Sequence, residues 1–258
     1  MAADPLLVAG AGLIGLCFGS FLNVCFLRLP HEQSLLRPPS TCPQCGQRIA
    51  WYDNIPVVSW VLLRGQCRSC KAPISIQYPL IELLVAVLWA ASALVYGLTL
   101  HALAGAVFGT ILLGIAVTDA RHYIIPDEFT WGGLALGLAL SLQGGGPGLL
   151  QALLGAAAGF ALLYVVAQAG QWVFKEEAMG GGDIKMMAMV GAFQPAGWKG
   201  VLLTVFAGAL LGTLIFVPLS LKKKRLVPFG VFLALGAAVT FVFGDAIIAW
   251  YLHFLGRD

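Results

Sequence analysis

The feature that most constrains this chain is a series of apolar stretches, each about as long as a membrane-spanning helix. A helix needs roughly 20 apolar residues to cross the hydrocarbon layer, and its backbone must satisfy its own hydrogen bonds there. The sequence predicts eight such helices, the fourth and sixth of them short, at about 5–28, 78–98, 101–119, 129–143, 148–172, 184–194, 199–221 and 227–254. We therefore expect an all-α polytopic membrane protein with about eight transmembrane helices.

The composition excludes a soluble domain. Hydrophobic residues make up 59% of the chain and charged residues only 10%, whereas soluble domains carry about 25% charged residues. So few charges cannot cover a surface that faces water. The net charge of +3 is too small to indicate nucleic acid as a partner, so membrane lipid is the expected surrounding.

The positions of Lys and Arg predict the orientation in the membrane. Cytoplasmic loops of membrane proteins are enriched in these residues. If the segment 29–77 is cytosolic, 13 of the 15 Lys and Arg residues lie on its side, including the run 222–225, and only Lys199 and Arg257 lie elsewhere. Both chain termini are then expected on the opposite side.

Four of the six cysteines predict a metal site in the segment between the first two spans. They form two CxxC pairs, Cys42 with Cys45 and Cys67 with Cys70. Two residues of spacing let one tight turn direct two thiolates at one ion, and two such turns complete a closed tetrahedral Cys₄ site. We expect a small cytosolic domain with a structural zinc ion. A pair of disulfides is the alternative, but disulfides are rare in a reducing cytosol.

The two remaining cysteines, Cys17 and Cys25, lie in the first helix and have no second pair to complete a metal site. Because Cys behaves as a small apolar side chain, we predict that both are buried packing residues. Pairs of small residues four apart, such as Gly15 with Gly19 and Gly155 with Gly159, predict close packing between helices.

Carboxylates at the ends of apolar segments are candidate functional groups, because they are costly inside a membrane. Asp119 ends the third predicted helix, and Asp183 precedes the sixth. On the expected topology both lie at the cytosolic edge, where two carboxyls that meet share one proton, as in aspartic proteases. The alternatives are an N-cap role for Asp183 and an ion pair of Asp119 with Arg121.

Other residues near these acids are weaker candidates. The run Gly180, Gly181 and Gly182 predicts unusual backbone angles and room for a substrate strand beside Asp183. Lys185 is a candidate to orient substrate or to tune Asp183, and the alternative is that it extends to the membrane surface. Glu82 is a candidate substrate contact, Asp245 a candidate buried hydrogen-bond anchor, and Glu176 and Glu177 a candidate attraction for a basic peptide.

Four stretches of the chain together resemble the type IV prepilin peptidases, which are GxGD aspartic proteases of the bacterial inner membrane. They are GLCFGSFLNVCFLRLP at 15–30, the two CxxC pairs, TDARHYIIPD at 118–127 and GGGDIK at 180–185. The stretches occur in the family's order and tie together about 170 residues. Many relatives have a second aspartate where this chain has Arg121, so that local carboxylate is absent here.

The resemblance implies cleavage of the basic leader from prepilins or pseudopilins at the cytosolic face, followed by methylation of the new N-terminus with S-adenosylmethionine. It assigns the catalytic aspartates to Asp119 and Asp183 and places Gly180, Gly182 and Lys185 beside them. The change in composition at 29–77 divides the chain into a first transmembrane helix at 1–28, a Cys₄ zinc domain at 29–77 and a multi-helix membrane core at 78–258, which the resemblance implies is the protease.

The methyl-donor pocket is not identified by any motif. The run Gly10, Gly12 and Gly15 matches GxGxxG but lies inside the first helix with no preceding strand, so it is interpreted as helix packing. The GSFLNV stretch with Asn23 is one candidate location. Two other functions remain open from the residues alone: a proton- or cation-coupled transporter that uses the aspartates, and a non-catalytic zinc-bearing scaffold for secretion.

Overall fold

The computed structural model describes residues 4–176, 179–220 and 228–256, and in this part of the chain all regular structure is helical. The two isolated β-bridges, Thr41 with Arg48 and Gln66 with Pro73, belong to no strand. The helices are α1 (Pro5–Arg28), α2 (Val58–Leu62), α3 (Gln77–Tyr96), α4 (Leu100–His122), α5 (Asp127–Leu142), α6 (Leu149–Phe174), α7 (Gly181–Phe193), α8 (Gly197–Ser220) and α9 (Phe229–Phe254).

The eight predicted helices correspond to α1 and α3–α9, and the prediction of an all-α membrane protein is confirmed. Six of these helices are long and apolar enough to cross a membrane. The other two, α5 with 16 residues and α7 with 13, are the ones expected to be short. The predicted run of cations at 222–225, Glu177 and Arg257 lie outside the described residues.

The chain divides into two compact units, residues 1–106 and 107–258. In the first unit α1 packs along α3, and two glycines of α1 make this contact possible. A Cβ atom at Gly15 would lie 2.8 Å from the Cα of Ala86, and one at Gly19 would lie 2.6 Å from the Cα of Glu82. The predicted role of these small residues in close helix packing is therefore confirmed.

In the second unit the short helix α7 is the central element. Every residue from Met186 to Phe193 is buried, as expected for a helix that is apolar on all sides. Gly155 and Gly159 of α6 lie directly against the α7 backbone at Gly191 and Met187. Since a helix enclosed by its neighbours need not span the lipid itself, its short length is consistent with its position.

A buried polar cluster joins the end of α7 to α8 and α9. Gln194, which follows α7, donates through Nε2 to the hydroxyl of Thr240 at 2.8 Å and to that of Thr204 at 3.3 Å. The two threonine hydroxyls are themselves 2.6 Å apart. These contacts fix the end of α7 opposite the one that carries Asp183.

Candidate active site and metal centre

Asp119 lies in the last turn of α4 and is 6% exposed. Its Oδ2 atom accepts the backbone N–H of Val231 at 3.1 Å, and the N–H of Gly230 donates to the same carboxylate. Both donors belong to the first turn of α9, and the Val231 N–H also donates to the carbonyl of Pro228, the cap of that helix, at 3.3 Å. The Asp119 carboxylate therefore supplies acceptors to the beginning of a helix more than a hundred residues away.

Asp183 lies in the first turn of α7, inside the helix and not ahead of it. The helix is capped by Gly180, and the backbone N–H of Asp183 donates to the Gly180 carbonyl at 3.2 Å. Asp183 is thus not the N-cap residue, and that alternative is wrong. Its buried Oδ1 atom has no hydrogen-bond partner in the described structure.

The surroundings of the two carboxyl groups meet at Ile125: a Cβ at Gly182, next to Asp183, would lie 3.0 Å from its Cβ, and one at Gly230, beside Asp119, 2.7 Å from its Cδ1. The two carboxyls reach this arrangement from different helices, α4 and α7, of the same unit. One carboxyl is hydrogen-bonded by two N–H groups and the other has a free oxygen, so their surroundings are unequal. Two carboxyls in unequal surroundings can divide the roles of an acid–base pair, one accepting a proton and the other donating one.

Glycines beside the two aspartates provide space and not unusual backbone angles. The prediction of unusual angles at 180–182 is wrong: Gly180 has φ −68°, and none of the three glycines is among the residues with positive φ. A Cβ at Gly182 would lie 3.0 Å from the Cβ of Ile125, whereas Gly181 faces open space. The absence of a side chain at Gly182 thus allows close packing, and that at Gly181 leaves the surface beside Asp183 open.

Lys185 forms an ion pair with Asp127, the first residue of α5. Its Nζ atom lies 2.7 and 2.8 Å from the two carboxylate oxygens. Sequence reasoning placed Lys185 near substrate or at the membrane surface and did not identify this partner. The pair joins the beginnings of α5 and α7.

The remaining predicted acids differ in position. Glu82 is buried on α3, where its Oε2 atom accepts the N–H of Val57 at 2.7 Å. Asp245 is exposed on α9, so the prediction of a buried anchor is wrong. Glu176 is also exposed.

The four predicted metal ligands lie together. The sulfur atoms of Cys42, Cys45, Cys67 and Cys70 are all within 4.8 Å of one another, and those of Cys42 and Cys70 are 3.8 Å apart. A tetrahedral zinc site with Zn–S bonds of about 2.3 Å has S···S separations of about 3.8 Å. The donor set and its dimensions therefore fit a closed Cys₄ zinc site, and all six cysteines are free thiols.

Each CxxC pair lies in the same kind of turn. The N–H of Cys42 donates to the Gln47 carbonyl at 2.9 Å, and that of Cys67 donates to the Ala72 carbonyl at 2.8 Å. Backbone N–H groups of Cys45 and then Gln44 lower the pKa of the Cys42 thiol to about 6. This sulfur is therefore a thiolate near neutral pH, which is the form that binds a metal.

A short salt bridge supports the second turn. Arg68 donates to both carboxylate oxygens of Asp53, with an Nη2–Oδ1 distance of 2.6 Å, and this hydrogen bonding lowers the pKa of Asp53.

Of the two other cysteines, Cys25 is buried as predicted. Cys17 is exposed on α1, so its predicted burial is wrong.

Comparison with known families identifies the chain. A sequence model described as the bacterial peptidase A24 N-terminal domain matches residues 13–96, and one described as the type IV leader peptidase family matches residues 106–217. A protein of Xanthomonas campestris named prepilin leader peptidase/N-methyltransferase is 35% identical, over 96% of this chain and 95% of its own length. The chain belongs to the type IV leader peptidase family.

Other relatives in the leader peptidase family carry the same name. The one from Pseudomonas aeruginosa is 35% identical, over 99% of this chain and 97% of its own length. The one from Myxococcus xanthus is 39% identical, over 87% of this chain and 66% of its own length. No solved structure matches the chain.

Sequence reasoning missed the residues that hold Asp119 in place. Gly230 and Val231 lie beyond the matched family segment 106–217 and carry no catalytic side chain. A Cβ at Gly230 would lie 2.9 Å from Oδ2 of Asp119 and 2.7 Å from Cδ1 of Ile125. The one signal in the sequence is that a proline and then a glycine begin the last helix.

Proposed function

We propose that this protein cleaves the basic leader from type IV prepilins or pseudopilins and then methylates the new N-terminal amine. The observation that carries the proposal is that buried Asp119 and half-buried Asp183 both lie beside glycines that pack against Ile125, in a member of the type IV leader peptidase family. The names of the relatives support both activities.

In the proposed cleavage, the two aspartates have different roles. Asp119, hydrogen-bonded by the N–H groups of Gly230 and Val231, is suited to be the ionised member, because donors at a helix N-terminus stabilise negative charge. It accepts a proton from the attacking water. Asp183 has an Oδ1 atom without a partner, so it is suited to be the protonated member. Its carboxyl O–H then donates a hydrogen bond to the scissile carbonyl.

The other proposed site residues support this pair. Gly181 faces open space, which leaves room for an extended substrate segment beside Asp183. Gly180 caps α7, and Gly182 in its first turn allows close packing against Ile125. Lys185 contributes through its ion pair with Asp127. This pair joins a residue two positions after Asp183 in α7 to the first residue of α5.

The segment 29–77 is proposed to be a zinc domain, between a first transmembrane helix at 1–28 and the membrane protease core at 78–258. Few of the apolar side chains in this segment are buried; Leu29 and Cys42 are two that are. Metal binding would therefore supply much of its folding free energy. The zinc ion is structural, because four thiolates leave no open coordination position.

Methylation requires a methyl donor, proposed to be S-adenosylmethionine. The GxGxxG run of α1 does not fit a nucleotide-binding loop, because it lies within a continuous helix.

The orientation proposed from the cationic residues places the zinc domain and the aspartates at the cytosolic face of the bacterial inner membrane. Both termini then lie in the periplasm.

The proposal is tested with the purified full-length protein and a prepilin in detergent. Leader cleavage is compared for the wild type, Asp119→Asn and Asp183→Asn, and cleavage should fall by more than a thousandfold in both variants. Glu128→Asn, a change at an exposed acid on α5, is the control. Cleavage that survives both aspartate changes would rule out the dyad.

A further inference from the structure

The first unit contains a buried polar cluster that the proposed cleavage does not use. It lies where α1 packs against α3: Glu82 of α3 accepts the hydroxyl of Ser20, and Asn23, one turn further along α1, donates to the carbonyl of Tyr78, one turn before Glu82. We infer that this cluster binds the N-terminal amine of the cleaved substrate and that Glu82 accepts its proton before methyl transfer. The inference rests on the proposed function, because it locates the second activity.

Glu82 retains acceptor capacity for a ligand. Its carboxylate receives the N–H of Val57 at 2.7 Å and a hydrogen bond from the hydroxyl of Ser20. A carboxylate has about four acceptor positions, so two remain for an ammonium group. Glu82 is 6% exposed and is therefore as buried as Asp119, a proposed catalytic residue.

Asn23 provides a second acceptor without a partner. It is 2% exposed, its Nδ2 group donates to the Tyr78 carbonyl at 3.1 Å, and its Oδ1 atom is buried with no hydrogen-bond partner. A buried polar atom of this kind normally has a partner, because leaving it unpaired costs about 1–3 kcal/mol. An amine N–H is the donor that this oxygen lacks.

The backbone at Val57 is held in a rare conformation beside the cluster. Val57 has φ 61° and ψ −50°, and a β-branched residue with positive φ is an outlier. Such conformations persist where the surroundings impose them, and they concentrate at functional sites. The hydrogen bond to Glu82 fixes Val57 and thereby connects the loop before α2 to α3.

The chemistry of the cluster suits an amine. An N-terminal amine has a pKa of about 8, so at neutral pH it arrives mostly as an ammonium ion and must lose a proton to become a nucleophile. Glu82 takes that proton, and Asn23 Oδ1 holds a remaining N–H. With a sulfonium methyl donor, the nitrogen lone pair forms the N–C bond while the C–S bond breaks and its electron pair stays on sulfur.

The first test measures binding without any methyl donor. A peptide with the mature pilin N-terminus is titrated into the full-length protein in detergent, alongside the same peptide N-acetylated. Wild type should bind the free amine about tenfold more tightly than the acetylated peptide, and Glu82→Gln should remove that preference. An undiminished preference in Glu82→Gln would overturn the inference.

The second test separates a base from a structural role. Gln preserves the size of Glu82 and an acceptor for Val57 but cannot take a proton, whereas Asp is shorter and can. Methyl incorporation should fall about 100-fold or more in Glu82→Gln and less in Glu82→Asp. The opposite order, or a parallel loss of leader cleavage in Glu82→Gln, would assign Glu82 a structural role and overturn the inference.

The control is Glu32→Gln, the same change at an exposed carboxylate beyond the end of α1. It should leave cleavage, methylation and binding as in wild type. Failure of the proposed function gives a different result. In that case the wild-type protein cleaves the leader but transfers no methyl group, so the second activity is absent before any variant is compared. If the wild type methylates its product and Glu82→Gln does so equally well, the proposed function stands and only the assignment of this site is overturned.

Discussion

Asp119 in α4 and Val231 in the first turn of α9 are joined by a hydrogen bond of 3.1 Å, although they are 112 residues apart in the chain. The same N–H also donates to the carbonyl of Pro228 at 3.3 Å, so Val231 shares it between the cap of α9 and the Asp119 carboxylate. The bond to Asp119 fixes the orientation of its carboxyl relative to the rest of its unit. The last helix of the chain is therefore part of the candidate active site, although it contributes no reactive side chain.

The contact between Gly230 and Asp119 predicts that Gly230→Ala impairs cleavage. The added Cβ would lie 2.9 Å from Oδ2 of Asp119 and 2.7 Å from Ile125, so the carboxyl must move. Displacement of a catalytic group by about 1 Å can lower the rate about 100-fold, and we expect a fall in kcat of about 10- to 100-fold, measured by leader cleavage.

Gly244→Ala is the matched control, because Gly244 lies on the same helix. Its added Cβ would be 3.8 Å from Thr240 and 4.0 Å from Ala196, which are ordinary contacts. Replacing Gly by Ala inside a helix favours the helix by up to about 1 kcal/mol. Cleavage should stay at the wild-type rate, and equal rates for both variants would contradict the role given to Gly230.

The Cys₄ site predicts that Cys67→Ser abolishes zinc binding. Three thiolates and a hydroxyl no longer form the closed tetrahedral site, and the segment loses the metal contribution to its folding free energy. Zinc measured by elemental analysis should fall from about one ion per chain to nearly none. Limited proteolysis should cut between residues 29 and 77 more readily.

Cys17→Ser controls for loss of a thiol as such. Cys17 is exposed on α1 and does not belong to the group of four ligands. This variant should keep the zinc content and the proteolysis pattern of the wild type. Zinc retained by Cys67→Ser, or lost by Cys17→Ser, would be inconsistent with the assigned ligands.

The buried cluster at the end of α7 predicts that Thr240→Val destabilises the second unit. The change removes an acceptor 2.8 Å from Gln194 Nε2 and a partner 2.6 Å from the Thr204 hydroxyl. Hydrogen bonds between helices in membranes contribute about 0.6 kcal/mol on average and up to about 1.7. We expect a loss of about 1–2 kcal/mol, measured by thermal unfolding in detergent.

Thr213→Val gives the baseline for that measurement. The exposed hydroxyl of Thr213 donates only to the carbonyl of Ala209, in its own helix. Its removal should change the free energy of unfolding by no more than about 0.5 kcal/mol. If the two threonine variants unfold at the same temperature, the cluster does not stabilise the packing of α7.

The helices and the metal site were predictable because their signals are local in the chain. A membrane span is a continuous apolar run, and two CxxC pairs define a tetrahedral site by their spacing alone. The choice of Asp119 and Asp183 as candidate residues had a different reason. Carboxylates are rare at membrane depth, so two of them at one expected edge suggest a shared function.

The rest depends on which face of each helix is covered, and an apolar sequence gives few signals of this. α1 is apolar around most of its circumference, and the signal that separates exposed Cys17 from buried Cys25 is the face marked by Gly15 and Gly19, from which Cys17 points away. The same question of the covered face led to the wrong prediction for Asp245 on α9. The contact of Asp119 with Gly230 was equally hidden, because it depends on the folding of distant helices together.

The ion pair between Lys185 and Asp127 is predicted to contribute little to stability. The two side chains are 34% and 56% exposed, and ion pairs accessible to solvent contribute about 0.2–1 kcal/mol. A double-mutant cycle with Lys185→Met, Asp127→Asn and the combined variant should give a coupling free energy in this range by thermal unfolding. The coupling should shrink further in high salt, because exposed charges are screened. A coupling above about 2 kcal/mol that salt does not reduce would indicate instead that the pair is shielded from water.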